Sequence, residues 1–141
     1  MKNTHYLIAC ILLLLSAAGC GGNSSVTGQV SYADGTPLDH GIVFFETSSL
    51  IAKGTIQKDG TYTVFAGEKK GVPQGTYRVS IDGFQPTVEP APVGPDGRPR
   101  GNARIIPPVI PIASKHLSAE TSGLVCEVKG RTKFDITVEH P

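Results

Sequence analysis

Few side chains in this 141-residue sequence are suited to covalent or acid–base chemistry, and their spacing limits each of them. His5 lies in the apolar leader; His40, His116 and His140 fall near a turn, in a loop and at the C-terminus. A zinc site needs ligands at short fixed spacings or on one helix face. His116 and Glu120 are four apart, but the segment from Ala113 to Glu120 is long enough for one helical turn only. The expectation is three solvated histidines, with no metal and no cofactor. Cys126 has a nucleophile's chemistry, with His116 or His140 as base. It alternates with the apolar Leu124 and Val128, however, so it reads as a buried small hydrophobe. Asp34, Asp59, Asp82 and Asp96 each precede a glycine, as turn aspartates do, and match no calcium loop. With no Gly-x-Ser-x-Gly elbow either, no catalytic residue is assigned and a non-enzymatic chain is expected.

The one local concentration of charge is Arg98-Pro99-Arg100-Gly101-Asn102-Ala103-Arg104, three guanidiniums in seven residues without an acid. Forked, planar donors suit carboxylates and phosphates. Arg98, Arg100 and Arg104 are therefore the candidate contact for an acidic glycan, a lipid head group or a partner protein. The plainer reading is a solvated loop.

These residues need elements to hold them. The 17 glycines and 11 prolines favour turns over helices. Val26, Gly28, Val30 and Tyr32 alternate with polar residues, a half-buried strand. Ile42-Val43-Phe44-Phe45 reads as a central strand and Ile51 to Gln57 as a third. Lys58-Asp59-Gly60 is a hairpin turn returning as Thr61 to Phe65. Thr76 to Asp82 alternates with Tyr77, Val79 and Ile81 on one face. Gly123 to Lys129 and Lys133 to Glu139 close the chain, joined by Gly130-Arg131-Thr132 as a hairpin. Between Asp82 and Gly123, the stretch from Gly83 to Pro111 holds eight of the prolines. Proline removes a donor and fixes φ, so this stretch reads as an extended, partly polyproline-like loop. The fold class is all-β, a seven-stranded antiparallel β-sandwich with a long Pro-rich loop.

The first residues give an address. Met1 and Lys2 precede an apolar run from Leu7 to Ala18, too short to span a bilayer. Small residues then abut Cys20: Ser16-Ala17-Ala18-Gly19-Cys20. This resembles a bacterial lipoprotein signal peptide, although Ala17 stands where the lipobox usually has leucine. The resemblance implies cleavage before Cys20, a diacylglycerol thioether on it, and an anchor strengthened by a further acyl chain. Gly21, where aspartate would favour inner-membrane retention, leans towards the outer membrane, on its periplasmic or surface face. The organisation is then residues 1–19 as signal, 20–25 as lipidated cysteine and flexible tether, and 26–139 as the domain, with a Pro-rich insertion at about 84–111. Removing the signal takes only Lys2 among the charges, leaving a neutral chain with no electrostatic case for nucleic acid.

Val26-Thr27-Gly28-Gln29-Val30, then Asp34-Gly35-Thr36-Pro37-Leu38, Ile42-Val43-Phe44-Phe45, Lys58-Asp59-Gly60-Thr61-Tyr62 and Gly75-Thr76-Tyr77-Arg78-Val79 together resemble carboxypeptidase regulatory-like domains. The resemblance covers Val26 to Asp82 and implies a transthyretin-like (prealbumin-like) sandwich. One such fold, hydroxyisourate hydrolase, ends in Tyr-Arg-Gly-Ser; this chain ends Val138-Glu139-His140-Pro141. The resemblance thus implies a structural or protein- or carbohydrate-binding module. Its partners would be the membrane, through the anchor, and an envelope protein or glycan. The alternative is a ligand-binding protein or hydrolase whose site is formed by the Pro-rich loop, marked by a concave pocket lined by that loop and His116.

Overall fold

Period-two patterning does produce strands, and the positions that alternate inward close one core. The computed structural model describes residues 22–141; the leader and Cys20 lie outside the described residues. Twelve strand segments occur among them: β1 (Val26–Tyr32), β2 (Ile42–Glu46), β3 (Ile51–Thr55), β4 (Thr61–Thr63), β5 (Phe65–Ala66), β6 (Lys69–Lys70), β7 (Gly75–Asp82), β8 (Thr87–Glu89), β9 (Arg104–Ile106), β10 (Leu124–Val128), β11 (Thr132–Lys133) and β12 (Ile136–Val138). The expected single turn of helix is a 3-10 turn at Ser114–Leu117.

The larger sheet runs β10-β7-β2-β3-β5-β6. Its pairings are antiparallel, with Cys126 opposite Tyr77 and Phe45 between Val79 and Ala52. In the smaller sheet β1 is central. β4 pairs with it antiparallel on one edge, and β11 and β12 pair with it parallel on the other. The core lies between the sheets. Val26, Val30, Tyr62, Ile136 and Val138 come from one side, and Val43, Phe45, Tyr77, Val79, Ile81 and Val128 from the other. Phe45 is fully buried, with ring centroids 6.2 Å from those of Tyr62, Tyr77 and Phe134. Burying such a ring contributes about 1.5–3 kcal/mol, and each aromatic pair adds about 0.5–1.5 kcal/mol.

Gly28 shows why a glycine interrupts an otherwise β-branched strand. The Tyr62 hydroxyl, on the β4 side of β1, donates to the Phe134 carbonyl on the other side. A Cβ at Gly28 would collide with both atoms. The missing side chain clears the path by which Tyr62 ties together the two neighbours of β1.

Three local expectations are corrected. β10 and the pair β11/β12 do not form a hairpin: β10 lies on β7 and β11/β12 on β1. Both segments have an apolar face, and placing them in opposite sheets lets those faces meet across the core. Thr61 to Phe65 is likewise not one strand but divides at Val64. The Val64 N–H donates to Val26 of the small sheet, and its carbonyl accepts from Gly71; the next residue, Phe65, pairs with β3 in the large one. Asn23, Ser24 and Ser25, finally, expected in a flexible tether, are held to the fold. Ser24 exchanges two backbone hydrogen bonds with Val72, and the Ser25 carbonyl accepts from Thr132.

The Pro-rich segment is extended but not unpaired. β8 and β9 form an antiparallel ribbon, with Thr87 opposite Ile106, Val88 opposite Ile105 and Glu89 opposite Arg104. Val93 bridges Pro99 nearer the tip. There the Gly94 N–H donates to Arg98 and the Gly97 N–H to Gly94. Buried Phe84 and Ile112 fix the two roots, and the Tyr32 hydroxyl donates to the Pro111 carbonyl at 3.0 Å.

Candidate functional site

The ribbon carries all three arginines proposed as a contact. Arg104 stands in β9 opposite Glu89. Arg98 follows the tip turn, its N–H donating to the Asp96 carboxylate at 3.4 Å. Arg100 lies 4.0 Å from the same carboxylate. The sequence run holds no acid, but strand pairing sets Glu89 across from Arg104 and the tip turn folds Asp96 back towards Arg98 and Arg100. The ribbon therefore presents a mixed surface of three cations and two carboxylates, interleaved with exposed Val88, Val93 and Ile105.

Its position matters as much as its charge. The chain enters the domain at the Val26 end of β1, whereas the ribbon is rooted at the Tyr32 end through Pro111. Seven strand residues separate those ends by about 20 Å. Cys20 precedes the first backbone pairing, at Ser24, by four residues, a reach of at most about 14 Å. The N-terminal segment and the root of the ribbon thus lie at opposite ends of β1.

The histidines do not converge. His40 contacts the Asp39 carboxylate and packs edge-on against Phe84, and His140 stacks on Tyr32 at 4.0 Å. His116 corrects the expectation of a solvated residue: it is only 4% exposed, and both ring nitrogens are buried without a hydrogen-bond partner. Burial, and then the Lys115 charge, lower its pKa, while Glu139 acts the other way. The 3-10 turn that carries His116 packs against β7, which is what turns the ring inward. Cys126 is buried and free, and burial raises its thiol pKa. Asp34, Asp59 and Asp96 each accept a backbone N–H two residues on, as turn aspartates do. Asp82 differs in ending β7, opposite Ile42. Among the described residues no three His, Cys, Asp or Glu side chains are grouped to hold a metal ion.

A feature no motif announced is a groove of about 940 Å³ on the outer face of the strands. It lies where β1 and β4 of the small sheet meet β3 and β5 of the large one. Its lining includes Thr27, Gln29, Lys53, Phe65, Lys70 and Lys133 and none of the ribbon. The outward, polar half of each alternating strand supplies these residues. They are unremarkable one strand at a time and converge only through register: Thr27 lies between Lys133 and Thr63, and Lys53 lies opposite Phe65.

Comparison of the chain with protein-family models, with curated proteins and with solved structures finds no match.

Proposed function

We propose that this chain is a lipid-anchored cell-envelope protein: a non-enzymatic structural or binding module held to the membrane through Cys20, with envelope protein or glycan as its partner. Its sandwich is read as transthyretin-like with seven principal strands. Joining β4 to β5 and β11 to β12, and setting aside β6 and the ribbon strands β8 and β9, leaves seven. The observation that carries the reading is the polarity of the domain. An N-terminal segment at one end of β1 and an exposed ribbon rooted at the other suit a module that is anchored below and makes contact above. The alternative of a hydrolase or pocket protein needs a cavity formed by the Pro-rich segment and His116. The groove contains neither, and His116 is sealed from solvent.

The test begins at the anchor. A labelled fatty-acid precursor should be incorporated into the full chain and not into Cys20→Ala, and that variant should leave the membrane fraction. An unlabelled wild-type chain, or a variant that stays membrane-bound, defeats the reading. In the released Cys20→Ala protein, replacing Arg98, Arg100 and Arg104 with serine should reduce retention on purified envelope fractions. The difference should shrink as salt rises.

A further inference from the structure

We infer that the groove between β1, β4, β3 and β5 binds an acidic oligosaccharide, with Lys53 and Lys70 meeting its anionic groups and the Phe65 ring stacking on a sugar face. The inference deepens the binding-module reading and rests on it only in treating the domain as a binder. The site is separate from the ribbon.

Three ammonium groups reach the groove from strands far apart in sequence: Lys53 on β3, Lys70 on β6 and Lys133 on β11. Lys133 is paired, 2.9 Å from the Asp135 carboxylate. Lys53 and Lys70 make no ion pair among the described residues. Two uncompensated cations in one concavity create a standing positive potential that an anion would relieve. As compact, freely rotating donors, lysines suit carboxylates or sulfates spaced along a chain more than a single planar group that needs a fork.

The rest of the lining narrows the class. Threonine hydroxyls and glutamine amides both donate and accept, which matches the hydroxyl pattern of a sugar. Phe65 is 40% exposed although it belongs to a strand of the larger sheet. An exposed ring among hydroxyls and amides supplies the apolar platform that the C–H face of a pyranose requires. A nucleic-acid groove would stack successive bases on several rings. A lipid surface is flat on this scale and would meet the rim of a concave site before its floor.

The test uses the full chain in mild detergent, titrated by calorimetry with an oligogalacturonate and with a maltooligosaccharide of the same length. The acidic chain should bind, with affinity falling as salt rises, and the neutral chain should bind at least about tenfold more weakly. Lys53→Gln with Lys70→Gln should reduce oligogalacturonate affinity about tenfold or more. Phe65→Ala should weaken it separately, and Arg98, Arg100 and Arg104 replaced with serine should leave it unchanged. Thermal unfolding of each variant should match wild type, since the residues are exposed. Lack of oligogalacturonate binding, equal binding of the neutral chain, or full affinity in the double lysine variant would each overturn the inference. So would binding to phosphatidylglycerol vesicles that depends on Lys53 and Lys70 when no oligosaccharide binds. Loss of labelling at Cys20 defeats the anchoring proposal and leaves this one standing.

Discussion

The sandwich and the ribbon use the same local rule and reach opposite ends. Both are built of extended strands, and the ribbon pairs antiparallel as the larger sheet of the sandwich does. Val43 and Val79, in β2 and β7, are completely buried, whereas Val88 and Ile105, directly opposite each other in β8 and β9, are 61% and 73% exposed. The difference is a second layer. An inward side chain of β2 meets the small sheet, while a ribbon side chain meets only its cross-strand partner. Pairing makes a strand, and only a facing sheet makes burial. A two-stranded ribbon is marginal alone. This one is held at its roots by Phe84, Ile112 and the Tyr32–Pro111 hydrogen bond.

The comparison is most easily broken at the core. Phe45→Ala removes a ring at the junction of the two sheets and should cost about 3–5 kcal/mol. Replacing residues 88–105 with a short Gly-Ser link, which keeps Phe84 and Ile112, should change stability by less than about 1 kcal/mol, because loop closure depends only weakly on length. Urea midpoints read both. A shortened ribbon as costly as Phe45→Ala would mean that the ribbon belongs to the cooperative core.

Much of the sandwich was legible because its signal is local. Thr76 to Asp82 alternates cleanly and becomes β7, and Lys58-Asp59-Gly60 makes the expected turn, with Gly60 at φ +80°. What was not legible depends on partners. Val64 gives no sign that its two polar groups bond to different parts of the fold, since that depends on Val26 and Gly71. Gly130-Arg131-Thr132 has turn chemistry, but whether the turn joins neighbours or crosses between sheets is decided by which arrangement buries Cys126 and Ile136 together. The arginine run was visible as charge, but Glu89 was not visible as its neighbour, because only the ribbon register sets it opposite Arg104. The groove was missed for the same reason: Lys53, Lys70 and Lys133 are ordinary surface lysines until β-sheet pairing collects them.

His116 sharpens the comparison from inside. It sits where the chain returns from the ribbon to the core, and it is the buried group least at ease there. Its folded pKa lies below the unfolded value of about 6.5. The unfolded chain therefore binds more protons between the depressed folded value and about 6.5, and this contribution to stability is lost as pH falls through that window. Above it, His116 adds no slope. The carboxylates Asp34, Asp39, Asp59, Asp135 and Glu139 are held below their ordinary values, chiefly by hydrogen bonds to the charged form, and His116→Leu leaves their contribution in place. His116→Leu should flatten urea midpoints between pH 7 and pH 5. It should also raise stability at pH 7 by about 1 kcal/mol, by removing unpaired buried nitrogens. An unchanged pH slope in that variant would show that the ring is hydrated or paired.

The smallest effect is expected where the exposed apolar surface is largest. Val88→Thr with Ile105→Thr keeps two β-branched residues facing each other, so the ribbon should retain its pairing. It removes apolar groups that touch no second layer, so the urea midpoint should move by no more than about 0.5 kcal/mol equivalent. In a buried pair such as Val43 and Val79, the same exchange would place two hydroxyls in the core and cost several times more. Backbone amide exchange at Val88 and Ile105 provides the second reading. These amides should exchange through local opening of the ribbon, well before those of β7. If the double variant instead lowers the midpoint as a core substitution would, or if the ribbon amides exchange only with global unfolding, then the ribbon is covered in solution. The contrast between a two-layer sandwich and a one-layer arm would then fail.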